Sequence, residues 1–124
     1  MSKTLTFDFC SVTVYKRYMV VVIFAGTHIT PEHNGVLENI VETYFKKQPF
    51  VYLTHRKNSY SVDPAIYVKT SKIKNLAGFG VIAEKPVSRA NAAVEKLFLN
   101  KPFEIFDNLE DARKWAKQIL ESDS

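Results

Sequence analysis

The sequence predicts one α/β domain over residues 1–124, with a mixed, mostly parallel sheet of about five or six strands packed against about four helices. From Met19 onward, short apolar runs typical of strands alternate with helix-like stretches, and the connections between them are short. An alternating segment before Met19 adds an N-terminal hairpin. A length of 124 residues, 46% of them apolar, is that of a single domain with its own core.

The strands are predicted from their side-chain patterns. Residues 4–10 alternate between apolar and polar side chains, which indicates a half-buried strand, and residues 11–15 continue this strand or pair with it. Residues 19–24 are continuously apolar, as expected of a central strand buried on both faces. Residues 50–54, 77–83 and 103–106 complete the predicted sheet.

The first two helices are predicted from their caps. Thr30 and Pro31 predict a helix over residues 30–47, because Thr is a good N-cap and proline lacks only an N–H that the first turn does not use. By the same reasoning, Asp63 and Pro64 predict a second helix over residues 64–75.

Two more helices follow. Ser88 is predicted to cap the third helix, whose inward apolar residues are Ala90, Ala93, Val94, Leu97 and Phe98. The last helix begins at a capping-box spacing in which Asp107 reaches forward and Glu110 reaches back. Trp115 lies on its apolar face and is predicted to anchor this helix to the sheet.

The net charge of +4 comes from one region of the chain. Residues 51–75 carry five basic side chains and one acidic side chain, whereas basic and acidic residues balance elsewhere. A surplus this small argues against nucleic acid as a partner, because nucleic-acid-binding domains concentrate far more Lys and Arg. It favours an anionic partner of another kind.

The cysteine content and the apolar runs predict a cytoplasmic protein. Cys10 lies in an apolar alternating segment and has no second cysteine to pair with, which is typical of a buried thiol in a reducing compartment. The longest apolar run, residues 18–25, is too short to cross a bilayer as a helix, so no membrane span is expected.

The polar and basic segment at residues 55–67 is the leading candidate for a functional surface. It joins an apolar strand to the predicted helix at Pro64, where free backbone N–H groups could hold an anion. We therefore predict that it binds a protein partner or a small anionic ligand through exposed side chains. The predicted binding residues are Arg56, Asn58, Ser59, Tyr60, Ser61 and Tyr67. A solvated loop capped by Asp63 would use the same residue types.

The order of these elements resembles that of STAS-like domains, and in particular the small stand-alone SpoIIAA-like branch. The similarity covers about residues 12–121. The residues that carry it are AGTHIT at 25–30, EKLF at 95–98, FEIF at 103–106 and EDARKW at 110–115.

The resemblance implies two kinds of function. In anti-sigma-factor antagonists of this fold, a serine that follows a strand and begins the next helix is phosphorylated, which implies phosphorylation of Ser59 or Ser61. The Asp and Gly that flank the family's serine are absent here, since Asn58 and Tyr60 flank Ser59. Similar lipid-carrying domains imply the alternative, a carrier or sensor of a small apolar or amphipathic ligand held between helices and sheet. Such a carrier needs a pocket of roughly 300 Å³ or more.

No complete catalytic or metal-binding motif is present, so the sequence predicts a non-enzymatic module without a cofactor or a metal site. The residue types of a hydrolytic triad occur among His55, Ser59, Ser61 and Asp63, but one short loop rarely brings them into that geometry. His28, Glu32 and His33 are residue types of a metal site, but the two histidines are five residues apart, which does not place them on one helical face. An open sheet edge at the first strands makes a homodimer a further expectation.

Overall fold

The computed structural model describes residues 2–122 and forms a six-stranded mixed sheet, a small two-stranded sheet and four α-helices. The predicted α/β class and sheet size are confirmed. In these residues the strands are β1 (Lys3–Thr6), β2 (Cys10–Val14), β3 (Tyr18–Ile23), β4 (His28–Ile29), β5 (Phe50–His55), β6 (Ser61–Val62), β7 (Leu76–Ile82) and β8 (Phe103–Phe106). The α-helices are α1 (Asn34–Ile40), α2 (Ile66–Thr70), α3 (Pro86–Glu95) and α4 (Leu109–Ser122).

The large sheet has the order β1-β2-β3-β5-β7-β8. The predicted N-terminal hairpin is present, because β1, β2 and β3 are antiparallel neighbours, with Cys10 opposite Ile23. From β3 onward the strands are parallel, and Leu53 of β5 lies between Val20 of β3 and Gly80 of β7. The parallel strands end at a common edge, and the loops that follow them meet there.

A second, two-stranded parallel sheet lies at this edge and was not predicted. His28 of β4 pairs with Ser61 of β6, and the side-chain Nδ1 and Oγ of these residues are 2.7 Å apart. The backbone N–H of Gly26 donates to the carbonyl of Ser59 at 2.9 Å. The loop after β5 is therefore fixed against the loop after β3 by backbone hydrogen bonds.

The predicted first helix is present but changes geometry along its length. A 3₁₀ turn over Pro31–His33 leads into α1, and a π-helical turn over Val41–Phe45 follows it. The N–H of Lys46 donates to the carbonyl of Val41, five residues back, at 2.6 Å. Lys46 has a positive φ of 52°, which ends the helix.

The helices cover both faces of the sheet. On the face that we call the filled face, α4 packs against β5, β7 and β8, and Ala112 and Ala116 are fully buried there. The Trp115 ring lies over Gly78 and Gly80, so its predicted anchoring role is confirmed. The other face carries the helical segment 31–45, α2 and α3, and we call it the cavity face.

The predicted second helix is too long by several residues, since only Ile66–Thr70 forms an α-helix. The Ser71 hydroxyl donates to the Tyr67 carbonyl at 2.6 Å and accepts the N–H of Asn100 at 2.9 Å, which ends the helix. Asp63 caps the preceding turn as predicted by accepting the N–H of Ala65 at 3.0 Å. Five residues create little macrodipole, so the helix start gives weak support to an anion site.

The orientation predicted for α3 is wrong. Residues at 92, 95 and 99 are buried, whereas Val94, Leu97 and Phe98 are 55%, 82% and 46% exposed. The helix also begins at Pro86, before the predicted cap Ser88. The helix turns a different face to the sheet than predicted because Glu95 points inward, where its carboxylate pairs with a buried arginine.

The cap predicted for α4 is also wrong. Asn108, and not Asp107, accepts the N–H of Asp111 at 2.8 Å. Asp107 forms an exposed ion pair with Arg89 at 2.6 Å. The sequence places both residues next to the helix start, and only the backbone conformation selects between them.

Candidate functional site

A cavity of about 70 Å³ lies on the cavity face, between the sheet and the helical segment 31–45 with α2. Most of its wall is apolar and includes Val12, Met19, Val21, Leu37 and Ile40. The wall residues Phe9, His33 and Tyr60 are only half-buried, so the cavity lies directly beneath the surface.

The floor of the cavity carries a buried ion pair. Arg56 follows the last strand residue of β5, and Glu95 reaches it from α3; their side chains are 6% and 9% exposed. The guanidinium donates to both carboxylate oxygens, with Nη1 to Oε2 at 2.8 Å. Burial alone would lower the pKa of Arg56, but the hydrogen bond to Glu95 and the electrostatic effects of Glu95, Tyr60 and Tyr67 together outweigh burial and hold that pKa above its ordinary value. The guanidinium is therefore charged at pH 7, and Glu95 is its ion-pair partner.

Tyrosines surround this ion pair. The Tyr67 hydroxyl donates to Glu95 and so adds a third hydrogen bond to the carboxylate. The Tyr60 ring lies over the guanidinium of Arg56, 5.5 Å from ring centroid to Cζ, in cation–π geometry. The Tyr60 hydroxyl is 3.5 Å from the Thr54 hydroxyl. A guanidinium held in this way has little freedom to move.

Asn34 enters the cavity wall from the opposite side, at the start of α1. It is 1% exposed, and its Oδ1 accepts the hydroxyl of Thr70 at 2.7 Å. The buried Thr70 hydroxyl has one hydrogen atom and also lies 3.2 Å from the Ile66 carbonyl, so the shorter contact to Asn34 Oδ1 takes that hydrogen and orients the amide.

Two donors on this wall are left without a partner. Among the described residues, Nε of Arg56 and Nδ2 of Asn34 are buried and make no hydrogen bond. Nearly all buried polar groups in proteins are paired, so an unpaired one calls for an explanation. Here both belong to one cavity, and one comes from the sheet and the other from a helix.

The hydroxyl and thiol groups of the wall stay protonated at neutral pH. Burial raises the pKa of the Cys10 thiol to about 11. Burial also raises the pKa of the Tyr52 and Tyr60 hydroxyls. For Tyr67, burial and the neighbouring Glu95 carboxylate raise the pKa well above its ordinary value. These groups are therefore neutral at pH 7, and the tyrosines are available as donors.

The structure brings three of the six predicted binding residues to this cavity. Arg56, Tyr60 and Tyr67 all line it, but the expected exposure is wrong for Arg56 and for Tyr67, which is 4% exposed. Their large side chains point inward because the alternation of β5 continues into the loop and because α2 turns Tyr67 toward Glu95.

The other three predicted residues lie outside the cavity. The Asn58 side chain donates to the carbonyl of Ile23 at 2.9 Å and so braces the loop against β3. Ser59 and Ser61 are exposed, and Ser61 contacts His28. Phosphorylation of either serine stays a prediction.

Asn34 and Glu95 are the site residues that sequence reasoning missed. Both stand in an inward-facing stripe at helical spacing: Asn34 precedes the half-buried Leu37 and the buried Val41, and Glu95 stands between the buried Ala92 and Leu99. A polar residue within such a stripe is the signal that could have identified them, because burial of an amide or a carboxylate requires a partner inside the fold.

No protein-family model, curated protein or solved structure matches this chain. The similarity to STAS-like domains therefore stays a prediction. Over residues 2–122, no three His, Cys, Asp or Glu side chains come together in a group that could hold a metal ion. The same residues contain no helix with the length and apolar character needed to cross a bilayer.

Proposed function

We propose that the protein is a non-enzymatic binding domain that holds a small amphipathic molecule in the cavity between helices and sheet. The observation that carries this proposal is the pair of unpaired donors on Arg56 and Asn34. A buried donor without a partner costs about 1–3 kcal/mol of stability. A fold that keeps two of them on one cavity wall is suited to a ligand that supplies the acceptors.

Water alone would match only the polar part of this cavity. A buried water molecule needs about two to four polar partners, and most of the wall is made of aliphatic and aromatic side chains. A molecule with one polar end and one apolar end satisfies both parts of the wall. Its polar end would contact Arg56 and Asn34, and its apolar end would contact residues such as Met19 and Leu37.

The volume limits the size of the ligand. A cavity of about 150 Å³ accommodates benzene, so 70 Å³ holds about three or four non-hydrogen atoms. This is far below the roughly 300 Å³ expected of a pocket for a drug-sized ligand. The geometry therefore favours a sensor of a very small molecule, or of the polar head of a larger one, over a carrier of a long lipid.

The position of Tyr60 supports the sensor function. Its ring covers Arg56 on the cavity side, and its neighbour Ser59 is exposed on the surface. A ligand in the cavity would displace the Tyr60 side chain and so change the conformation of the loop at residues 57–61. A protein partner that binds this loop would then detect the ligand.

Nuclear magnetic resonance of methyl-labelled methionine tests the proposal. The chain has two methionines, and Met19 is fully buried on the cavity wall; its one tryptophan, Trp115, lies on the filled face. We expect neutral, acidic and basic compounds of three or four non-hydrogen atoms, each at about 50 mM, to include some that shift the Met19 methyl signal and leave the Trp115 indole signal in place. With four atoms the dissociation constant would be no lower than about 10⁻⁵ M.

Two variants serve as matched controls. Val36→Phe enlarges a half-buried side chain on the cavity wall, and we expect it to abolish the Met19 shift. Val22→Phe makes the same change at a half-buried position of β3 whose side chain alternates away from Met19 and Val21, and it should keep the shift. If no compound moves the Met19 signal of the unmodified protein, the proposal is wrong.

A further inference from the structure

We infer that the ligand of this cavity is an uncharged molecule that accepts hydrogen bonds, such as a small ketone, amide or ester. This inference rests on the proposed function and defines the chemical class of its ligand. It follows from two independent features of the wall, the balance of its charges and the polarity of its unpaired groups.

The charge on the wall is already balanced. Arg56 is the one side chain of permanent charge that lines the cavity within residues 2–122, and the Glu95 carboxylate binds it through both oxygens. A ligand carboxylate would place a second negative charge beside a single guanidinium. A ligand ammonium group would add a positive charge beside Arg56 with no free carboxylate to pair with. Either charge would be buried without compensation, which is strongly unfavourable.

The unpaired groups are both donors. Nε of Arg56 has one N–H, and Nδ2 of Asn34 has two, and none of these has a partner among the described residues. The carbonyl and carboxylate oxygens beside these donors are already engaged, since Asn34 Oδ1 accepts from Thr70 and Glu95 accepts from Arg56 and Tyr67. The wall therefore supplies hydrogen atoms, and the ligand must supply lone pairs.

The two donors are held in fixed positions, and this makes the cavity selective for a ligand that accepts hydrogen bonds. Arg56 is fixed by Glu95 and Tyr60, and Asn34 is fixed by Thr70, so neither donor can turn away to find another acceptor. A site whose buried polar groups are fixed in this way rejects an analogue that lacks the matching group, because that analogue leaves the donors unpaired. An apolar molecule of equal size should therefore bind more weakly than an acceptor.

Five probes of equal size separate these properties. Acetone and acetamide are uncharged acceptors, acetate is an anion, acetamidinium is a cation and 2-methylpropene is apolar; each has four non-hydrogen atoms. We titrate each probe into the full chain at pH 7 and follow the Met19 methyl signal, with Trp115 as the reference. We expect millimolar dissociation constants for acetone and acetamide and values at least about tenfold higher for the other three.

The outcomes distinguish an error in the chemical class of the ligand from an error in the proposed function. If acetate or acetamidinium binds as tightly as acetone, the ligand is not uncharged, although the cavity still binds a ligand. If 2-methylpropene binds as tightly as acetone, the unpaired donors do not select the ligand. If none of the five shifts the Met19 signal, the proposed function itself fails.

A variant assigns the effect to a named donor. Asn34→Leu keeps the approximate size of the side chain and removes Nδ2, so it should weaken acetone binding at least about tenfold and bring 2-methylpropene closer to acetone. Asn39→Leu makes the same change on the exposed side of the same helix and should leave binding unchanged. Equal acetone affinity in both variants would show that Asn34 does not contact the ligand. The comparison of probes on the unmodified protein does not depend on either variant.

Discussion

The two faces of the sheet differ in how completely they are filled. On the filled face, the Trp115 ring lies so close to β7 that a Cβ atom added to Gly78 would be 2.9 Å from its Cη2 atom. On the cavity face, a space of about 70 Å³ remains, and its surroundings contain the buried polar residues Asn34, Thr54, Thr70 and Glu95. One sheet thus supports an apolar core for stability and a polar cavity for binding.

This difference indicates that the cavity face contributes less to the stability of the fold than the filled face. Burial of apolar area stabilises the fold at about 25 cal/mol per Å², and α4 achieves it without any buried charge. The cavity face contains an ion pair whose desolvation offsets much of its attraction, together with two unpaired donors. Such costs are typical of a site that is arranged for a ligand.

The largest effect is expected from the ion pair on the cavity face. Glu95→Ala leaves Arg56 buried without a partner, and we expect a loss of about 3–5 kcal/mol in the free energy of unfolding. Urea denaturation followed by circular dichroism measures it. Asp107→Ala breaks the Arg89–Asp107 pair, which is 40% and 80% exposed, and should cost less than about 1 kcal/mol. Similar losses in the two variants would show that burial of Arg56 has no energetic importance.

A smaller loss is expected when the filled face is overpacked. Gly78→Ala places a methyl group against Trp115 and Ile119, and we expect the free energy of unfolding to fall by about 1–3 kcal/mol. Gly35→Ala, in α1, meets no atom within 4 Å and should instead stabilise the protein by about 0.5–1 kcal/mol. If Gly78→Ala also stabilises the protein in a thermal melt, the filled face is less tightly packed than described.

The smallest effect has the opposite sign and concerns the cavity face. Asn34→Leu removes an unpaired donor, and the Thr70 hydroxyl keeps the Ile66 carbonyl as an acceptor. We expect the free energy of unfolding without ligand to rise by about 1 kcal/mol. Asn39→Leu, at an exposed position, should change it by less than about 0.5 kcal/mol. A loss above about 1 kcal/mol for Asn34→Leu would mean that the amide stabilises the fold.

Local patterns were sufficient to predict most of the architecture. The alternation before Met19, the apolar run of β3 and the Thr30–Pro31 helix start are each determined by neighbours in sequence, and each element is present in the fold. The apolar face of α4 was also predicted correctly, because every residue on it is suited to a sheet that is apolar on that side.

The candidate site could be predicted only in part. The segment 55–67 was identified from its polarity and charge, and three of its six predicted binding residues line the cavity. Their inward direction was missed because a surface loop and a buried polar cluster use the same residue types. Glu95 was missed because its partner Arg56 is 39 positions away, and no local pattern connects the two residues.

The sequence by itself determined the α/β class, the order of the helices and of the strands of the large sheet, and the single anchoring tryptophan, because these depend on spacing and on propensity within a few residues. The tertiary structure alone decided which face of α3 is buried, the pairing of β4 with β6 and the inward direction of Arg56. The physical reason is that a buried charge takes its orientation from its partner. Only the folded chain brings an amide from α1 and a guanidinium from the end of β5 to one cavity, and a carboxylate from α3 to that guanidinium.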